Sequence, residues 1–255
     1  MTDAPEFVAR GLAARRAALA MLSGVLGRGR NLDHQFDALD GLDGRDAGFA
    51  RALVSQTLRH LGMLDAVIRH FVPKPLPPHK AGPASEILLL SACALLVLKT
   101  APHAAVNGAN ALAARDSKAV HFKPLINAVL RRLAREGESF VSNLDRARVS
   151  VPDWLWGRWS AQYGEEITRR IAVAHLKEAP TDIVLKSADA HYPESMALFD
   201  AVRRLMQDGR IEALPGFAEG DWWVQDAAAT LPARLLGDVR GRKIIDLCAA
   251  PGGKT

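Results

Sequence analysis

Between Ser85 and Leu98 almost every residue is apolar, with Ile87-Leu88-Leu89-Leu90 and Ala92-Cys93-Ala94-Leu95-Leu96-Val97-Leu98 interrupted only by Ser91. A helix of that composition has no face to give to water, and the run is too short for a bilayer span of about 20 residues. It is stable only when other helices surround it. The run therefore predicts a helical bundle with this segment at its centre and Cys93 as a packing residue.

The flanking sequence supplies the surrounding helices. Glu6 to Leu26 is rich in Ala, Leu and Arg, with Leu12, Leu19 and Leu22 on one face and arginines on another. Gly27-Arg28-Gly29-Arg30-Asn31 breaks this helix, and Asp40-Gly41-Leu42-Asp43-Gly44 reads as a loop. From Asp46 towards Val72, Phe49, Leu53, Leu58, Leu61, Leu64 and Ile68 recur at helical spacing, and Gly62 is the expected point of division. Proline lacks the donor that a helix interior needs, so Pro73-Lys74-Pro75-Leu76-Pro77-Pro78 is a connector. Helices are expected again after Pro102 and over Pro124 to Arg135, where Ile126, Val129, Leu130 and Leu133 form a stripe beside Arg131, Arg132 and Arg135. Residues 6–137 thus read as all-helical.

Beyond Glu138 the texture changes, and all five tryptophans, Trp154, Trp156, Trp159, Trp222 and Trp223, lie there. Pro152 to Tyr163, Glu165 to Lys177 and Glu194 to Gln207 read as helices. Ile183-Val184-Leu185-Lys186 and Trp222-Trp223-Val224-Gln225 read as strands, so a small α/β unit is expected over about 150–220. Trp154, Trp156 and Trp159 sit near helical spacing and are expected in the core, stacking on unpaired bases being the other use of such rings. Lys243-Ile244-Ile245-Asp246-Leu247 has the character of a short buried strand. The fold class is therefore mainly α.

With 49% hydrophobic and 24% charged residues the chain is of the folded, globular kind. The formal net charge of +5 favours a polyanionic partner, weakly on its own. Two cysteines, Cys93 and Cys248, exclude a disulfide framework and a cysteine zinc site, so no metal is expected and a reducing cytoplasm fits. Met1 to Glu6 has neither the basic start nor the apolar stretch of a secretory signal, and no membrane segment is expected.

The chemistry-bearing motif closes the chain: the strand candidate runs into Cys248-Ala249-Ala250-Pro251-Gly252-Gly253-Lys254-Thr255. A strand ending in an acidic residue, followed by a loop of small residues, is how a doubly wound domain opens a nucleotide-type site. A phosphate loop is the rival, but its pattern needs glycine where Cys248 stands, and Pro251 removes a donor from the cradle.

The string Asp246 to Thr255 resembles the first S-adenosylmethionine-binding motif of the RNA 5-methylcytosine methyltransferase family, the Sun/Fmu/NOL-type enzymes. Ala213-Leu214-Pro215-Gly216-Phe217 and Val224-Gln225-Asp226-Ala227-Ala228-Ala229 are similar to the stretch that precedes that motif. Pro102-His103-Ala104-Ala105-Val106-Asn107 and Leu125 to Arg132 resemble the N-terminal extension of the bacterial branch, which has the all-helical fold of the NusB antitermination factor and belongs to enzymes that modify small-subunit ribosomal RNA. The resemblance implies a NusB-like RNA-binding bundle over 1–140, a small α/β linker or RNA-binding subdomain over 141–220, and over 221–255 the incomplete start of a Rossmann-like methyltransferase domain. It departs from the family after Pro180, where Thr181 to Lys186 lacks the usual arginine and asparagine, leaving Lys186 as the one positive charge.

In such enzymes a cysteine thiolate adds to C6 of cytosine so that C5 can take the methyl group, and a second cysteine assists release. Both would lie downstream of Thr255, so no catalytic residue is assigned and the chain is expected to be inactive alone. Cys248 instead belongs to the cofactor loop with Ala249, Ala250, Pro251, Gly252, Gly253 and Lys254. Candidate RNA contacts are Arg10, Arg15, Arg16, Lys118, Lys123, Arg131, Arg132 and Arg135, together with Arg28 and Arg30, any one of which also suits a solvated helix face. The implied partner is ribosomal RNA, bound by a monomer. A non-catalytic RNA-binding or antitermination module is the alternative.

Overall fold

The computed structural model describes residues 4–72, 74–187, 192, 194–206, 211–250 and 252, with the side chains of 4–10, 78 and 212 outside the description. The chain divides into two compact units, Met1–Lys177 and Glu178–Thr255.

The first unit is helical. The apolar run forms α5, Ala84–Leu96, and Ile87, Leu88, Leu90, Ala92, Cys93 and Ala94 are all buried there. Around it pack α1 (Ala4–Arg28), α2 (Gly44–Arg59), α3 (Leu61–Phe71), α6 (Pro102–Ala113) and α7 (Lys123–Ser142). Each contributes a stripe set by its periodicity: Ala14, Ala18, Met21 and Leu22 from α1, Leu53 and Val54 from α2, Met63, Leu64 and Val67 from α3, and Ile126, Leu130 and Leu133 from α7. Pro102 and Pro124 stand in the first turns of α6 and α7, where the missing N–H has no helical partner to lose. Asp43 caps α2 by accepting from the Asp46 N–H at 2.8 Å. The short α4 (Pro78–Ala81) follows the proline connector, and a 3-10 helix occupies Leu32–Leu39, a stretch with no element expected.

The 46–72 helix divides, but at His60 and not at the glycine. Gly62 serves packing instead: a Cβ there would lie 1.9 Å from the Val149 carbonyl oxygen. That close approach seats α3 against α8 (Arg146–Val149). α9 (Asp153–Tyr163) and α10 (Glu165–His175) complete the unit over a small cluster of Ala147, Val151, Trp156 and Ala172. Trp154 does not join that cluster: it is 69% exposed, against the core position expected, whereas Trp156 is 9% exposed.

The second unit is built on a four-stranded antiparallel sheet in the order β2-β3-β1-β4, with β1 at Asp182–Leu185, β2 at Ser195–Phe199, β3 at Val202–Leu205 and β4 at Trp222–Val224. β1 and β4 fall where the sequence places strands. A helix is expected over Glu194 to Gln207; Gln207 lies outside the described residues, and 195–205 form instead the β2–β3 hairpin, turning at Asp200 with φ of 43°. Its apolar spacing of three to four residues also fits two short strands, and pairing of Asp182 with Arg204 and of Val184 with Val202 decides between them. Gly216, at φ of 82°, brings the 214–217 turn onto Trp222, whose indole Nε1–H donates to the Pro215 carbonyl at 2.8 Å.

After α11 (Ala227–Arg234) the expected strand over 243–247 does not form. Ile245 is 83% and Leu247 91% exposed. A strand gains its hydrogen bonds from neighbours, and no described residue pairs with this one.

Candidate nucleic-acid interface and cofactor loop

The basic residues differ in burial and in pairing. Arg15 is partly buried at the joint of α1, α2 and α6: its Nη1 donates to the Gly11 carbonyl at 2.8 Å, and its guanidinium lies 5.1 Å from the Phe49 ring centroid. Gly108 leaves the room for it, since a Cβ there would lie 2.6 Å from Arg15 Nε. Burial pushes the Arg15 guanidinium below its ordinary value, and Asp46 acts in the opposite sense. Arg15 thus mortars helices together.

Arg16, one residue on, is exposed and lines a groove with Ala20, Leu112, Arg115 and the acidic Asp40 and Asp116. Asp116 fixes the neighbouring turn by accepting from the Lys118 and Ala119 N–H groups at 2.9 and 2.8 Å, and this leaves the Lys118 side chain exposed. On α7, Arg131 is exposed and Lys123 half-buried. Arg132 pairs with Glu136 at 2.8 Å over the Phe71 ring, and Arg135 approaches the same carboxylate at 3.6 Å. Of the α7 arginines, Arg131 therefore has its charge least committed. Arg10 lies on α1, and its side chain is outside the described residues. Arg28 and Arg30 are exposed where α1 ends.

In the second unit Asp182, 4% exposed, accepts from Arg204 Nε at 2.7 Å and Nη2 at 3.1 Å, and from the Ala227 N–H at 3.1 Å. The Arg204 hydrogen bond holds the Asp182 carboxyl below the usual range, against the upward push of desolvation. This lock has no signature in the sequence, because nothing around Asp182 marks it as facing inward.

In the stretch from Asp246 to Gly252, Asp246 Oδ1 accepts from the Cys248 N–H at 3.0 Å and Gly252 takes φ of 102°, a backbone that favours glycine. Cys248, Ala249, Ala250 and Gly252 are exposed, and Pro251, Gly253 and Lys254 lie outside the described residues. Small side chains, an acidic cap on the turn and a glycine in left-handed space suit a ligand that approaches the backbone. Among the described residues no three His, Cys, Asp or Glu side chains group as metal ligands, and no helix is long and apolar enough to cross a membrane.

Residues 12–135 match the model of the NusB family. The first unit thus carries a NusB-type helical domain. Along nearly its whole length the chain is, further, a homologue of proteins named ribosomal RNA small subunit methyltransferase B. It is 34% identical to that of Xanthomonas campestris pv. campestris over 98% of this chain and 59% of the relative. Identity to that of Pseudomonas putida is 33%, over 96% of this chain and 58% of the relative. Against the Escherichia coli (strain K12) protein it is 30%, over 94% and 59%. The chain spans about three-fifths of the length of these curated relatives. The crystal structure of PH0851 shares the fold, with a TM-score of 0.62 over 100% of this chain and 60% of that one at 16% identity.

Proposed function

We propose that this chain is the RNA-binding N-terminal part of an S-adenosylmethionine-dependent methyltransferase that makes 5-methylcytosine in small-subunit ribosomal RNA. The observation that carries the reading is the similarity to ribosomal RNA small subunit methyltransferase B over 98% of the chain, with a NusB-family match inside it. Functionally, 1–140 is the RNA-binding bundle, 141–220 the linker or RNA-binding subdomain, and 221–255 the opening of the methyltransferase domain. The protein acts as a cytoplasmic monomer.

S-adenosylmethionine supplies the methyl group when bound. Cys248, Ala249, Ala250, Pro251, Gly252, Gly253 and Lys254 are the residues that would bind it, and the Asp246 carboxylate fixes the turn at Cys248. Exposed Arg16, Lys118 and Arg131 supply charge to RNA phosphates, and Lys123 adds to it, as do Arg132 and Arg135 where they exchange Glu136 for phosphate.

Binding of the chain to small-subunit ribosomal RNA, competed by an equal mass of duplex DNA, tests the reading. Preference for the ribosomal RNA is expected, and equal affinity for both overturns it. The NusB-family match taken by itself favours a second reading, a non-catalytic antitermination module. Bisulfite sequencing of small-subunit ribosomal RNA from cells lacking the gene separates the two, because loss of a methylated cytosine is expected only for the first.

A further inference from the structure

The first turn of α9 carries a large apolar surface that the fold does not use. Trp156 and Trp159 turn towards the Ala147, Val151 and Ala172 cluster, so the helix has already buried an apolar face. Arg148 and Arg169 flank the Trp156 ring at 5.1 and 5.7 Å and finish that packing. Trp154 points elsewhere and remains 69% exposed, and it takes part in no ring or guanidinium contact among the described residues.

At 100° per residue, Gly157, Arg158 and Ala161 lie within about 60° of Trp154 on the helix surface. All three are exposed. A Cβ on Gly157 would meet nothing within 4 Å, so the space beside the indole is open. Helical side chains lean towards the N-terminus, which carries Arg158 back over the turn that Trp154 begins. Arg158 enters no ion pair among the described residues, in contrast to Arg148, which pairs with Asp153, and Arg169, which pairs with Asp145.

An uncommitted indole, a shelf of two small residues and an unpaired guanidinium one turn away together match an unpaired nucleotide. The base has a π face for the ring, and its phosphate has the charge that Arg158 lacks. We propose that the outer face of α9 binds single-stranded RNA, with one base stacked on Trp154 above Gly157 and its phosphate on Arg158. This rests on the reading of the chain as RNA-binding and adds to it a site outside the residues matched to the NusB family.

The test is the affinity of the whole chain for a labelled, non-self-pairing oligoribonucleotide at several salt concentrations, with thermal unfolding followed in parallel. Trp154→Ala weakens binding by roughly tenfold and Trp154→Phe by no more than about twofold. Gly157→Leu also weakens it roughly tenfold, although leucine is the better helix former and has free space there, so its unfolding midpoint does not fall. Arg158→Gln lowers affinity and reduces the slope of log K against log salt by about 0.7.

Parental affinity in Trp154→Ala and Gly157→Leu overturns the site. If charge removal on α7 abolishes binding in the same series, the RNA-binding reading survives and this inference alone fails. If the unsubstituted chain binds no RNA, both fail. A change in sedimentation with unchanged RNA affinity assigns the face to a protein partner and likewise overturns the proposal.

Discussion

At the scale of single residues, two helical glycines in the first unit have opposite meanings. Gly62 sits where a Cβ would lie 1.9 Å from the Val149 carbonyl oxygen, a backbone atom that has no flexible end to swing away. Gly62→Ala is expected to lower the free energy of unfolding by about 1–3 kcal/mol, from strain between α3 and α8. Gly157→Ala, with open space, is expected to raise it by about 0.5–1 kcal/mol. Urea midpoints measured side by side check the pair, and equal shifts would mean that the α3–α8 seam relaxes freely.

His60, between α2 and α3, is 6% exposed, and its Nδ1 has no hydrogen-bond partner among the described residues. Burial first, then the charges of Arg146 and Arg59, push its pKa below the ordinary value. The unfolded chain therefore takes up a proton more readily, so stability is full above the unfolded value of about 6.5 and declines as pH falls towards the folded one. His60→Leu is expected to flatten the fall of the thermal midpoint between about pH 7 and pH 5. An unchanged slope would show that other groups carry that acid limb.

Among elements, the helices were legible because their hydrogen bonds are local and their apolar period is written in consecutive residues: α5, α6, α7, α9 and α10 fall near where Ile87, Pro102, Ile126, Trp156 and Ala172 put them. Strands depend on what lies beside them. Met196, Phe199, Val202 and Leu205 repeat every three residues and imitate a helix, and only the pairing of β3 with β1 shows otherwise. Lys243 to Leu247 has the composition of a strand but joins no sheet among the described residues, and its isoleucines stay exposed. The candidate cofactor motif stands out in the sequence because loop residues are specified locally, whereas a binding crevice is assembled from several strands. Titration of S-adenosylmethionine into the chain is accordingly expected to give no saturable heat, and a binding isotherm would show that the loop assembles its own pocket.

The Asp182 carboxylate ties three elements together, β1 to β3 through Arg204 and to α11 through the Ala227 N–H. Asp182→Asn removes the charge and one of the two equivalent acceptor oxygens at a site with a half-open partner. A loss of about 1–3 kcal/mol is expected for the second unit. The Asp182 carboxyl titrates below its unfolded value of about 3.9, so its contribution is complete above that pH and is lost as pH falls through the folded value. The substitution should therefore lower Trp222 fluorescence midpoints at neutral pH and leave them nearly unchanged in strong acid. Equal effects at both would assign the loss to packing.

Over the whole molecule, a net charge of +5 says little about which cations meet a polyanion, because depth and pairing decide that and neither is visible in a sequence. Arg15 and Arg16 are adjacent in the chain and alike in charge, yet one is partly buried against Phe49 and Gly108 and the other faces solvent. Counterion release makes the difference measurable, since each phosphate neutralised contributes about 0.7 to 0.9 to the slope of log K against log salt. Replacing Arg16, Lys118 and Arg131 together by glutamine is expected to reduce the slope for ribosomal RNA by about 2, with the unfolding midpoint unchanged. Arg15→Gln should do the reverse: it strands the space beside Gly108 and lowers stability by about 1–2 kcal/mol, with the salt slope retained. If Arg15→Gln removes a unit of slope without loss of stability, the α1–α2–α6 joint opens when RNA binds, and the bundle reads RNA with a residue that it keeps covered at rest.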